Sequence, residues 1–147
     1  MKREEFISSS SEETKEIAKR LALTLKGGEV IKAYGEMGCG KTAFCQGLGK
    51  QLGVKGIINS PTFNLIKVYE GKDVSLYHVD CYRLETADEE RKDLGLDEVM
   101  GEKNVITYIE WPMYGDESVL NYHPIIKVSL TYLDEEKRKI VIEDERF

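Results

Sequence analysis

At 147 residues, 41% of them hydrophobic, the chain is long enough to bury one core and too short to divide into two domains of ordinary size, so a single domain over residues 1–147 is expected. A net charge of −6 and a pI near 5.1 argue against a main surface that grips nucleic acid, leaving a local RNA contact open, and no apolar run reaches the length that crosses a bilayer. The opening "MKREEFISSS" lacks the apolar centre of a signal peptide, and Cys39, Cys45 and Cys81 form neither a CxxC pair nor, with His78 and His123, a zinc-like spacing; a soluble, cytoplasmic protein with reduced thiols is expected, with no membrane contact and no stable direct DNA binding.

The first predicted element is a helix. "SSEE" (10–13) fits a capping box, and Ile17, Ala18, Leu21, Ala22 and Leu25 then line one face until Gly27 and Gly28 stop it. The mixed-sign runs "EEFISSSSEETKEIAKR" and "DEEKRK" read as solvated faces without a function of their own. "EVIKAY" (29–34) reads as a strand and "KTAFCQGLGKQLG" (41–53) as a helix carrying Ala43, Phe44, Leu48 and Leu52. Gly47 and Gly49 each cost that helix about 1 kcal/mol against Ala, which suggests close packing against the sheet. "TFNLIKVYE" (62–70) and "VSLYHVD" (74–80) form a hairpin across "GKD", "TADEERKDLGLDEVM" (86–100) reads as two short helices around Gly95, and "NVITYIE" (104–110) is a strand ending in an acid. "PIIKVSLTYL" (124–133) and "KRKIVIED" (137–144) alternate well and form a terminal hairpin, so the sheet is mixed.

Between the second strand and second helix lies "GEMGCGKT" (35–42), which matches G-x-x-x-x-G-K-[ST]. Glycines let successive backbone N–H groups converge on phosphate oxygens, and the N-terminus of the following helix adds partial positive charge. Gly35, Glu36, Met37, Gly38, Cys39, Gly40, Lys41, Thr42 and Ala43 are therefore the candidate phosphate-binding residues. Lys41 reaches the terminal phosphates and Thr42 offers its hydroxyl to Mg²⁺. The flanking strand and helix are what hold such a loop open, so the pattern reads as a working cradle in an α/β, P-loop NTPase-like three-layer fold with a mixed parallel/antiparallel sheet and flanking helices. Lys41→Ala is expected to remove phosphate affinity without harming the fold, on the reading that a lysine at the solvent edge supports little core. Cys39 occupies a position that contributes mainly backbone, so it reads as a plain thiol.

A cradle of this kind needs a carboxylate from a neighbouring strand to serve the metal. Glu110 ends "VITYIE" and is the first choice. Asp80 ends "VSLYHVD": it orients the attacking water, holds a metal-bound water, or pairs with Arg83. In "NSPTF" (59–63) Pro61 keeps Ser60 extended and presents Thr62 at a loop edge, either to sense the terminal phosphate or as ordinary strand-entry chemistry.

Taken together, "GEMGCGKT", "SPTF", "YHVDCYRL" and "YIEWP", in this order and with "LGLDEVM" before the last, resemble the TsaE family of tRNA threonylcarbamoyladenosine biosynthesis proteins, over roughly Gly28 to Pro112. The resemblance implies a small bacterial Mg-dependent P-loop ATPase, weak alone and stimulated by its partners. It binds ATP and ADP and assists TsaB and TsaD proteins in placing threonylcarbamoyl on adenosine 37 of tRNAs reading ANN codons, meeting tRNA only through the complex. It also implies Lys41 and Thr42 as phosphate and magnesium residues, Thr62 in a switch-like loop, and Asp80 and Glu110 as essential acids. Met37 and Cys39 depart from the small or aliphatic residues expected in the loop. Trp111, beside Glu110, reads as a packed aromatic or a reporter of nucleotide binding.

Three other readings use the same cradle. A small P-loop kinase would close an arginine-bearing lid, whereas Arg3, Arg20, Arg83, Arg91, Arg138 and Arg146 are scattered, with only Arg83 near the site. A GTPase would need an N-K-x-D stretch, which the sequence lacks. A nucleotide-gated binding module would order the 59–63 loop to dock a partner without essential turnover.

Overall fold

The computed structural model describes residues 1–36, 38–59, 66–80, 100–110 and 125–147, which form seven strands and two helices. In chain order these are β1 (Lys2–Ser8), α1 (Ser11–Ala22), β2 (Val30–Tyr34), α2 (Lys41–Gln51), β3 (Ile66–Glu70), β4 (Ser75–Asp80), β5 (Val105–Glu110), β6 (Ile125–Tyr132) and β7 (Arg138–Asp144). One sheet takes them all, in the order β1-β7-β6-β2-β5-β4-β3. Its centre is parallel, with β2 flanked by β5 and β6 and with β4 beside β5. Its margins are the antiparallel pairs β3/β4, β6/β7 and β1/β7. Both predicted hairpins and the mixed sheet are therefore present; the segments predicted at 62–65 and 86–99 lie outside the described residues.

Parallel strands bury both faces, and the central ones do so here. Ile31 and Ala33 of β2 join Ile106 and Tyr108 of β5 and Ile126 and Val128 of β6 in one core with α1 and α2. The alternate residues Val30, Val105, Ile109 and Ile125 are buried too, on the opposite face. Burial on both faces of the sheet is the pattern of a three-layer α/β fold.

Helix α1 is capped by Ser10, whose Oγ accepts the backbone N–H of Glu13 at 3.1 Å. The return bond is shifted by one residue: the Glu13 carboxylate accepts from the Ser9 N–H, not from Ser10. The helix also ends at Ala22, earlier than the glycine pair predicted: the Thr24 and Leu25 N–H groups turn to the i−3 carbonyls of Leu21 and Ala22 at 3.0 and 3.1 Å, and the Thr24 hydroxyl also donates to Leu21 O at 2.7 Å.

Strand β1 has no counterpart in the sequence reading, which took this stretch as a solvated face. It pairs with β7 from Lys2↔Asp144 to Ser8↔Arg138 while remaining almost wholly exposed. Lys2–Glu4 and Arg3–Glu5 ion pairs line it, the charged dress that keeps an edge strand from recruiting another chain.

The two helices cross at Gly47. A Cβ there would stand 2.4 Å from Lys15 O and 2.9 Å from Ala18 Cβ, so only glycine lets the backbones meet. Close packing against the sheet, expected for both glycines, explains neither: at Gly49 a Cβ would lie 2.1 Å from Cδ1 of Ile58, in the segment between α2 and β3, and only at ordinary contact distance, 3.4 Å, from Leu76 Cδ2 of β4. Gly47→Ala should therefore destabilise by about 2–3 kcal/mol, since the overpacking outweighs the roughly 1 kcal/mol gained in helix propensity. Urea unfolding measures this, and unchanged or increased stability would contradict the crossing.

The C-terminus is tied down by Arg146. Its guanidinium donates to Asp144 at 3.0 and 2.7 Å, to Thr24 O at 2.9 Å and to Thr24 Oγ1 at 2.8 Å, and it reaches Glu29 at 3.3 Å. Burial pushes the Asp144 carboxyl up, but its bonds to Arg146 outweigh that and hold it below the usual carboxylate range. A depressed carboxyl contributes stability above its unfolded pKa, near 4, and loses it as pH falls through the lower folded value. Arg146→Ala is expected to cost roughly 3 kcal/mol at neutral pH by leaving Glu29 and Asp144 buried without their cation. That difference should shrink below about pH 4 in paired pH-dependent melts; a constant difference would contradict the clamp.

Candidate nucleotide-binding site

β2 delivers the chain into the loop and α2 takes it away at Lys41, so the loop is anchored at both ends by rigid elements. Gly35, Gly38 and Gly40 have φ of 152°, 80° and 106°. At Gly35 there is no room for a side chain: a Cβ would lie 2.3 Å from Cys39 Sγ and 2.7 Å from Leu130 O. Gly40 occupies the N-cap of α2 and brings no side-chain cap, which leaves the first-turn N–H donors directed at the loop floor. Thr42 and Ala43 are half-buried in that turn, Glu36 and Gly38 are exposed, and Met37 lies outside the described residues.

Lys41 departs from the sequence reading. It is 4% exposed, not at the solvent edge, and its Nζ donates to Gly35 O at 2.5 Å and to Glu36 O at 3.0 Å. The ammonium thus braces the loop at the mouth of the cradle, so its removal affects the fold as well as the site.

The acids come from the neighbouring strands. β5 lies parallel to β2 and β4 parallel to β5, with Ala33 opposite Glu110 and Glu110 opposite Asp80. Both carboxylates therefore stand at the sheet edge where β2 enters the loop, the place where α/β proteins bind ligands. Period-two alternation puts His78 and Asp80 on one face of β4, and Tyr108 and Glu110 on one face of β5. Contacts show that this is the face bearing α2: Tyr108 Oη donates to Lys41 O at 2.7 Å, and His78 Nε2 is hydrogen-bonded to Glu110 Oε2. Glu110 is 3% exposed and Asp80 is half-buried. Thr62, with Ser60 and Pro61, lies outside the described residues, as do Cys81, Arg83 and Trp111.

No group of three or more His, Cys, Asp and Glu side chains gathers as a metal cluster among the described residues. A threonine hydroxyl and carboxylates make a sparse set of hard oxygen donors, which suits Mg²⁺, an ion that keeps several waters, and does not suit zinc. Neither Cys39 nor Cys45, the two thiols among the described residues, is poised as a nucleophile. Burial pushes the Cys39 thiol up against the opposing pull of Lys41, and burial, reinforced by Glu110, pushes Cys45 well up.

Sequence reasoning missed four residues here. His78 was weighed only as a zinc ligand, although its position two before Asp80 on a strand places both on one face. Tyr108 read as strand filler. Arg138 stacks 4.1 Å over the Tyr132 ring, and the Tyr132 hydroxyl lies 2.8 Å from where a Gly38 Cβ would be. Arg138 therefore stands beside the loop, where the sequence suggested Arg83 alone; it is fixed on β7 and not carried by a lid.

A glycine cradle between a central parallel strand and a helix, with a lysine at its mouth and carboxylates ending the adjacent parallel strands, defines a nucleotide-binding P-loop protein of the α/β class. The family model for Threonylcarbamoyl adenosine biosynthesis protein TsaE matches residues 8–140, and the chain belongs to that family. It is 43% identical over 111 residues to the tRNA threonylcarbamoyladenosine biosynthesis protein TsaE of Bacillus subtilis, covering 76% of this chain and 68% of that protein. The protein of the same name from Rickettsia bellii is 40% identical over 144 residues, covering 95% and 94%. The crystal structure of Bacillus subtilis YdiB superposes with a TM-score of 0.77 at 29% identity, over 97% of this chain and 86% of that one.

Proposed function

We propose that this chain is an ATP-binding, ATP-hydrolysing accessory subunit required for threonylcarbamoylation of adenosine 37 in tRNAs reading ANN codons, acting with TsaB and TsaD proteins. The observation that carries the reading is the register Ala33–Glu110–Asp80, which sets two acids at the edge from which the glycine loop springs. Loop N–H groups and Lys41 hold the β- and terminal phosphates of ATP or ADP. Thr42 and Glu110, with Asp80 as a further donor, would hold Mg²⁺, which when bound supplies neutralisation of phosphate charge. Asp80, less buried than Glu110, orients the attacking water, and Thr62 senses the terminal phosphate. The chain does not itself carry the threonylcarbamoyl group; its turnover resets the complex, through which alone it meets tRNA. It acts in the cytoplasm. No helix among the described residues is long and apolar enough to cross a membrane.

Competition against a fluorescent ATP analogue tests the nucleotide class. ATP and ADP should displace it, and GTP, for which the sequence holds no N-K-x-D reader, should do no better. A preference for GTP of about tenfold, 1.4 kcal/mol, would contradict the reading. Phosphate transfer from ATP to a defined acceptor would favour a kinase instead.

A further inference from the structure

The His78–Glu110 contact joins two side chains buried at 0% and 3% exposure on adjacent parallel strands. Glu110 as a carboxylate can only accept, so His78 Nε2–H donates to Oε2. The other ring nitrogen, Nδ1, is buried with no hydrogen-bond partner among the described residues, where the polar bond that orients this ring is the one to Glu110. The ring is seated edge-on against Tyr108, with centroids 5.6 Å apart and planes at 70°, and Tyr108 in turn donates to the Lys41 carbonyl. Phe44 of α2 stacks on the other part of Tyr108, with centroids 6.3 Å apart. A continuous buried chain therefore runs from the Glu110 carboxylate through His78 and Tyr108 to the first residue of the loop's helix.

From this chain of contacts we infer that His78 is a positioning residue for the proposed ATPase. By occupying Oε2 it fixes the rotamer of Glu110 and leaves Oε1 as the oxygen offered to the nucleotide's metal and water, at a distance from the phosphate loop set by Tyr108. The inference rests on the functional reading above and deepens it. A buried carboxylate without this donor would turn away or recruit another partner, and a donor that orients a ligand commonly matters ten- to a hundredfold for metal affinity.

The test uses the full chain and two substitutions. His78→Leu keeps bulk and removes the donor; His78→Gln carries an amide N–H to nearly the place of Nε2. The first readout needs no nucleotide. With only His78 and His123 in the chain, a ¹H–¹⁵N spectrum of the imidazoles should show one ring with a protonated, strongly hydrogen-bonded Nε2, absent in His78→Gln and shifted in Glu110→Gln. The second readout is binding of a fluorescent ADP analogue, first in EDTA and then with added MgCl₂. His78→Leu should bind in EDTA within about twofold of the parent, need at least about tenfold more Mg²⁺ to reach the Mg-dependent signal, and hydrolyse ATP with kcat reduced about tenfold or more at little change in KM. His78→Gln should recover most of both. A histidine that merely fills space would lower the thermal midpoint of both variants equally and leave the Mg²⁺ midpoint unmoved. That result, or a Glu110→Gln variant with an unshifted imidazole resonance, would overturn the inference while leaving the ATPase reading standing. If the parent itself shows no Mg-dependent nucleotide binding, the functional reading fails and this inference falls with it.

Discussion

Glu110→Gln is expected to bind ATP within a few-fold of the parent once Mg²⁺ is saturating, to need at least about tenfold more Mg²⁺ to do so, and to hydrolyse ATP at least about a hundredfold more slowly. Glutamine keeps the shape of the side chain, and its amide oxygen accepts the His78 N–H in place of Oε2, so the buried pair on β4 and β5 survives. What is lost is the charge at the sheet edge beside the loop. Because Glu110 is almost wholly buried, the fold depends on its contacts, and the isosteric change separates charge from packing in a way that alanine would not. Single-turnover hydrolysis against equilibrium nucleotide binding measures the two effects. Turnover within about fivefold of the parent would remove Glu110 from the chemistry. The same variant decides between the ATPase and a nucleotide-gated binding module: if it still supports repeated rounds of tRNA modification, turnover is not what the complex requires.

Lys41→Ala should weaken ATP binding by at least about a hundredfold and also lower stability by about 1–3 kcal/mol. The second effect follows from the loop geometry. Removing the ammonium leaves the Gly35 and Glu36 carbonyls without their charge-assisted bonds, at a loop whose glycines stand at positive φ. In a domain of this size the loss corresponds to roughly 2–4 °C in melting temperature for each kcal/mol. Isothermal titration with ATP and thermal melts by circular dichroism check both parts. Full stability would return Lys41 to the role of a passive lysine at the solvent edge, and retained ATP affinity would mean that the loop does not hold phosphate.

The parts of the fold that were legible in the sequence carry their signal locally. β2 and β5 run apolar because both of their faces are buried, β6 and β7 alternate because one face is more buried than the other, and the loop motif fixes how β2 passes into α2. β1 was illegible for the opposite reason. Its residues are exposed along nearly the whole strand, so no periodicity marks it, and it is a strand only because β7 offers a partner more than a hundred residues away. Gly47 shows the same limit at the level of packing: its cost to helix propensity is visible in the sequence, while the Lys15 carbonyl that demands it belongs to another helix.

At the site, the loop residues and both acids could be named from motif and strand ends, because each sits at a boundary that the sequence marks. Their buried supports could not. His78 has meaning only once β4 is laid against β5 in register, and Tyr108 only once its hydroxyl is seen to reach the Lys41 carbonyl. The burial of Lys41 was likewise invisible, since nothing in "GCGKT" tells whether the lysine extends outward or folds back onto the loop.

The most direct test of the proposed role is ATP hydrolysis by the purified protein, alone and with its matching TsaB and TsaD proteins, with Lys41→Ala as the blank. The account predicts feeble turnover alone that rises several-fold when the pair is added and vanishes in the variant. Brisk turnover alone, unmoved by the pair, would contradict the role as a partner-dependent subunit and leave only the phosphate cradle correctly assigned.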